Sequence, residues 1–118
     1  MSFSEILKDV VTKVEGSVGA FIIASDGIPI DAYIQKDNID QSALSAEFSA
    51  ILKTMNFALE NLQLGNMDEF SVATERYKII LRKITPEYYL ILVTEPDGNI
   101  GKARFFLKIT APKIQKEI

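Results

Sequence analysis

The sequence predicts an α+β domain. A five-stranded antiparallel sheet in the order 2-1-5-4-3 carries one long helix on one face and two terminal helices on the other, and the elements run α-β-β-α-β-β-β-α. Three observations carry this. Segments 17–25 (SVGAFIIAS) and 88–95 (YYLILVTE) are apolar or small on both alternating faces, as central strands covered on both sides are. Segments 28–35 and 67–74 alternate apolar and polar residues, the pattern of half-solvated edge strands. Residues 40–65 contain nothing that breaks a helix until Gly65. Tight turns between consecutive strands then fix the order.

At 118 residues the chain is one domain, spanning 1–118. A hydrophobic share of 47% with 25% charged residues is that of a soluble globular protein. The net charge of −3 argues against nucleic acid as a partner. With no cysteine and no histidine there is no thiolate or imidazole metal site, no Cys nucleophile, no His-based triad and no disulfide. No apolar run reaches the roughly 20 residues of a membrane span. The first residues, MSFSEILKDV, carry acids early and lack an apolar signal core, so a cytoplasmic protein is expected. No cofactor is expected.

Taken in order, Ser2 or Ser4 caps a first helix to about Val14. Ile6, Leu7, Val10, Val11 and Val14 face inward, and Gly16 ends the helix. The strand 17–25 leads into Asp26-Gly27, a strong hairpin signal. In 28–35, Ile28, Ile30, Ala32 and Ile34 share one face. Pro29 cannot donate to a ladder, which makes this an edge strand. The long helix follows, with Gly65 as its expected cap. Its side chains sort into three stripes at about 100° per residue. Leu44, Phe48, Ile51, Met55, Leu59 and Leu62 are expected to face the core. Ser42, Ser45, Ser49, Lys53, Asn56 and Glu60 form a polar side. Ala43, Ala46, Ala50, Thr54 and Phe57 form a second, mostly small stripe. That stripe implies a second neighbour, in this chain or in another copy of it, although alanine also serves helix propensity. The strand 67–74 places Met67, Glu69, Ser71 and Ala73 on one face, and only Asp68 and Glu69 guard its edge. In 77–84, Lys78, Ile80, Arg82 and Ile84 share a face. After the strand 88–95 and the turn at Pro96-Asp97-Gly98, Asn99 starts a last helix. Ile100, Ala103, Phe106, Leu107 and Thr110 point inward, and Pro112 ends or kinks the helix before a polar tail.

Few motifs carry chemistry. Asp26-Gly27 reads as a hairpin turn rather than a metal or phosphate loop. Gly98-Asn99-Ile100-Gly101 before a helix resembles a phosphate-cradling turn, but no Lys-Ser pair follows. Gly101 reads instead as the place where helix and strand approach closely. Arg76, Arg82 and Arg104 are candidate arginine fingers, against a solvated or ion-paired role for each. Tyr88 and Tyr89, one on each sheet face, read as core rather than a stacking platform.

Several short patterns in order resemble the Roadblock/dynein light chain family, which includes the MglB-type regulators of Ras-like GTPases. They are Gly16-x-x-Gly19-Ala20 leading through an apolar strand to Asp26-Gly27, then the long helix closed by Leu64-Gly65. The strand Tyr88-Tyr89-Leu90-Ile91-Leu92 follows, and Ile100-Gly101-Lys102-Ala103-Arg104 opens the final helix. Longin and profilin-like domains share much of this architecture. The resemblance implies a homodimer or heterodimer with the third strand and the long helix at the interface, a small GTPase or a motor or scaffold component as partner, and no catalytic activity of its own. The expected dimer contacts are then Ala43, Ala46, Ala50, Thr54, Phe57, Met67, Glu69 and Ser71. The expected partner surface is Ser45, Ser49, Lys53, Asn56 and Glu60. The leading expectation is a non-enzymatic dimeric platform that regulates a Ras-like GTPase. The alternative is a scaffold or motor-adaptor subunit with no effect on nucleotide turnover.

Overall fold

A computed structural model describes residues 1–118. The elements are α1 (Phe3–Lys13), β1 (Ser17–Ala24), β2 (Pro29–Ile34), α2 (Gln41–Asn61), β3 (Glu69–Ala73), β4 (Lys78–Thr85), β5 (Tyr88–Thr94) and α3 (Ile100–Gln115). The strands form one antiparallel sheet in the order β2-β1-β5-β4-β3, as the apolar patterning requires. Element order, sheet order and layering all follow the sequence reading.

The sheet separates two cores. Ile22, Leu90 and Leu92 point to the face covered by α1 and α3, where Leu7, Val10, Leu107 and Ile114 meet them. Phe21, Ile23, Leu81, Ile91 and Val93 point to the other face, under Leu52 of α2. Each large side chain so buried stabilises by roughly 1.5–3 kcal/mol. α1 opens on a capping box: Ser2 accepts from the Glu5 amide while the Glu5 carboxylate accepts from the Ser2 amide.

Several local expectations are corrected. α2 ends at Asn61, four residues before Gly65. Gln63 takes the left-handed conformation (φ 55°) and closes the helix: its amide donates to the Glu60 carbonyl, and the Leu64 amide to Leu59. This is the Schellman arrangement with a non-glycine residue, so Gly65 serves the following loop instead. A bulge between Ile22 and Ile23 breaks the alternation of β2. Ile30 therefore lines a small cavity with Ile22, Phe3 and Tyr88 on the α1/α3 face, while Ala32 packs on the α2 face. Met67 precedes β3 and is buried in the α2-side core, whereas Glu69 faces α3, so the two do not share a face.

The close approach ahead of α3 belongs to Gly98. A Cβ there would lie 2.5 Å from Thr94 Oγ1, whereas one on Gly101 would meet nothing nearer than Asn99 Oδ1 at 3.4 Å. α3 also runs on through Pro112, because Ala111 and the fully buried Ile114 pack into the core and offset the missing helix hydrogen bond. The expected polar tail is thus partly a core element.

Candidate interaction surfaces

Two surfaces of α2 and one strand edge carry the candidate residues. The helix sits over the sheet rolled by roughly half of the 100° step between residues, relative to the sequence expectation. Leu52 (2% exposed) and Ser45 (0%) point straight at the sheet. Leu44, Phe48, Met55 and Leu59 are half-buried beside them. Ile51 and Leu62, expected in the core, are 43% and 67% exposed. Ser45 is therefore removed from the expected partner surface. Its hydroxyl is buried without a hydrogen-bond partner, in a position that a small side chain fills. The reason for the roll is the two-sided neighbourhood of the helix. Phe48 makes an edge-on contact with Phe70 of β3, centroids 6.3 Å apart. On the other flank, the Gly27 turn tucks against Ser49 and Ala46: a Cβ on Gly27 would lie 3.0 Å from Ser49 Oγ. Part of the small-residue pattern thus answers to this chain's own hairpin.

The remaining small-stripe residues, Ala43, Ala50, Thr54 and Phe57, are exposed, as is Ala46. Phe57 is 66% exposed. Ala50, Thr54, Ile51 and Ala58 line a shallow cleft of about 490 Å³. Ile51 and Ala58 were missed as surface residues. The signal available for them was Leu52, a leucine one step round the helix that competes with Ile51 for the core.

The strand candidates separate. Ser71 is exposed on β3, which pairs only with β4 and leaves its other edge open. Met67, at 7% exposure, is a core residue and not an edge contact. Glu69 is tied to the α1/α3 face by a bidentate pair with Arg104, 2.8 and 2.9 Å, and lies 3.5 Å from Arg82. The hydrogen bonds from Arg104 hold the Glu69 carboxyl below the usual carboxylate range. Arg82 and Arg104 are therefore engaged in structure. Arg76 is exposed, with its guanidinium 5.8 Å from the Tyr77 ring centroid.

The lowered Glu69 pKa gives a prediction with a definite sign. A carboxyl depressed in the folded state contributes stability above its unfolded value near 4.5, and loses it as pH falls through the folded value. Glu69→Gln should cost on the order of 1 kcal/mol at pH 7, the upper range for partly exposed pairs. The deficit should be smaller in thermal melts at pH 3 than at pH 7. An equal deficit at both pH values would mean that packing rather than charge holds the pair.

On the polar side of α2, Lys53, Asn56 and Glu60 are exposed and Ser49 is half-buried. Asn56 and Glu60 border two adjoining grooves of about 470 and 350 Å³, whose other walls include Lys83, Pro86 and Tyr89. Lys83 and Pro86 come from the β4–β5 end of the sheet, and sequence spacing gives no sign that they meet α2. No group of three or more Asp or Glu is placed to hold a metal ion, and no helix is long and apolar enough to cross a membrane.

An antiparallel five-stranded sheet with a long helix on one face and two terminal helices on the other is a roadblock-type α+β fold. The chain belongs to the family described as mitogen-activated protein kinase kinase 1 interacting, whose model matches residues 1–105, and it is a member of the Roadblock/MglB-like group. It is 34% identical to MglC from Myxococcus xanthus over 100% of both chains, with a TM-score of 0.72. The Roadblock/LC7 domain from Streptomyces avermitilis is 10% identical and superposes at a TM-score of 0.90, covering 99% of this chain and 98% of that one. Myxococcus xanthus MglB is 13% identical at a TM-score of 0.87, covering 99% and 97%. More residues are thus shared with MglC and more of the shape with the Streptomyces domain. No curated protein matches the sequence.

Proposed function

We propose that this protein is a non-enzymatic dimeric platform that binds a Ras-like small GTPase and regulates its GTP hydrolysis. The observation that carries the reading is the uncovered outer side of α2, where Ile51, Ala50 and Phe57 are exposed, together with the open edge of β3. Isolated apolar side chains on a surface are ordinary, but an unpaired strand edge is a template for pairing with another chain. Pairing of two β3 edges about a two-fold axis joins the sheets and sets the two α2 helices side by side. Ala43, Ala46, Ala50, Thr54 and Phe57 then line the helix contact, and Ser71 lies at the strand contact. Ser49, Lys53, Asn56 and Glu60 of both copies turn outward as one polar surface, and one GTPase spans the axis. With Arg82 and Arg104 engaged by Glu69, the platform acts by orienting the GTPase's own residues, a population shift toward the hydrolysis-competent state. Such a protein works where the chain is cytoplasmic.

The test is GTP turnover by a co-encoded Ras-like GTPase with and without this protein. A change in turnover is expected. It should be lost in Lys53→Glu combined with Asn56→Arg while the dimer mass is kept, since neither residue lies on the contact stripe. Unchanged turnover and unchanged GTPase binding in that variant would reject the site. A second reading is favoured by the family description, which names an interaction protein: a scaffold subunit that binds its partner and leaves nucleotide turnover untouched.

A further inference from the structure

On the face of the sheet away from α2, the outer side of α3 is uncovered. Ala103, Leu107, Thr110, Ala111 and Ile114 turn into the core. Opposite them, at about 100° per residue, Phe105, Ile109 and Pro112 fall in one line along the helix. Phe105 is 58% exposed and Ile109 40%. Phe105 is held by an edge-on contact with Phe106, centroids 5.3 Å apart. Lys108, Lys113 and Lys116 flank or continue the line; all three are exposed and none is in an ion pair. Between residues 100 and 115 there are four cations and no acid. The whole chain is −3 and this helix +4, which leaves −7 on the rest. Of the four, Arg104 pairs with Glu69, and Lys102 lies at the start of the helix on a cavity lined by Glu15, Glu95 and Asp97, outside any ion pair. Lys108 and Lys113 are the two beside the apolar ridge, and Lys116 follows the helix.

The geometry points to a peripheral membrane site, in which α3 lies along an anionic bilayer surface. Phe105 and Ile109 enter the headgroup region, and the three lysines meet lipid phosphates. An apolar line with lysines around it on one helix is the pattern of interfacial helices. Lysines are hydrated point charges suited to a field of phosphates, whereas a carboxylate-bearing protein surface is better read by the fork of arginine. Joint binding by two copies of the ridge rests on the proposed dimer. Pairing through β3 keeps both α3 helices on the same face of the joined sheet. Because Arg104 reaches Glu69 of β3, α3 lies beside the pairing edge. The two ridges then address one plane, and their binding multiplies.

The test is co-sedimentation of the full chain with phosphatidylcholine vesicles, with and without phosphatidylglycerol. Binding is expected only to the anionic vesicles and should weaken with added salt. Lys108→Gln and Lys113→Gln should each reduce it on the order of fivefold. Phe105→Ser, at an exposed position whose fold is checked by circular dichroism, should reduce it with the charge unchanged. Equal binding to neutral vesicles, or full binding by the Lys108→Gln/Lys113→Gln variant, overturns the site. Absence of binding to anionic vesicles also overturns it and leaves the ridge to an acidic protein. Light scattering on the same samples separates the two proposals. A monomer that binds anionic vesicles overturns the dimer alone, and a dimer that does not bind overturns the membrane site alone.

Discussion

Leu52→Ala should destabilise the fold by about 2–5 kcal/mol, while Ile51→Ala, one residue earlier on the same helix, should cost less than about 1 kcal/mol in the monomer. Leu52 is 2% exposed and meets the core built from Phe21, Ile23, Leu81 and Ile91, so its removal leaves a cavity the sheet cannot close. Ile51 is 43% exposed, and its truncation removes little buried area. For a domain of this size the Leu52 change corresponds to a fall of roughly 10–20 °C in melting temperature. Circular dichroism melts at low concentration measure both variants. The reverse order of effects would show that α2 is not rolled as described, and that the stripe through Ile51 and Leu62 is the core stripe after all.

Ala50→Arg is expected to dissociate the proposed dimer without unfolding the chain. Ala50 is exposed on the lone protomer, so a long cationic side chain meets only water there and the melting temperature of the monomer should hardly move. In a two-fold contact the same substitution forces two long cationic side chains into a space fitted by small ones, beside Glu47 of the same cleft. Overpacking costs about 1–3 kcal/mol for each inserted side chain, enough to dissociate the pair at micromolar concentration. Light scattering should give about twice the chain mass for the unaltered protein and the chain mass for the variant. A silent substitution would place the contact elsewhere, and a collapse of thermal stability would place Ala50 in the core. A monomeric unaltered protein would remove the platform model itself.

These two variants separate what is legible in one dimension from what is not. The strand order was readable because the signals are local and of large amplitude. Segments apolar on both faces must be central, and alternating ones must be peripheral. Asp26-Gly27 and Thr85-Pro86-Glu87 join neighbours that have no other way to turn. The helix starts at Ser2 or Ser4 and at Asn99 were similarly written in side chains that reach only three residues. The candidate surfaces were less legible. Helical periodicity fixes which residues of α2 share a stripe but sets the roll of the helix only to within about one residue step. Choosing between Ile51 and Leu52, or between Ser45 and Ala46 as the inward small residue, takes the positions of Phe70 and the Gly27 turn. Both are distant in sequence and close in space.

By itself, then, the sequence determined the element order, the sheet order, the sidedness of the layers and the absence of thiol and imidazole chemistry, because patterning and composition act residue by residue. Tertiary structure alone decided that Ser45 and Met67 are buried, that Glu69 holds Arg104 and Arg82, and that Ile114 completes the core beyond Pro112. It also brought Lys83 and Pro86 to the groove beside Asn56 and Glu60. Each of these depends on where two rigid elements come to rest against each other. That is set by the packing of whole surfaces, which no single segment encodes.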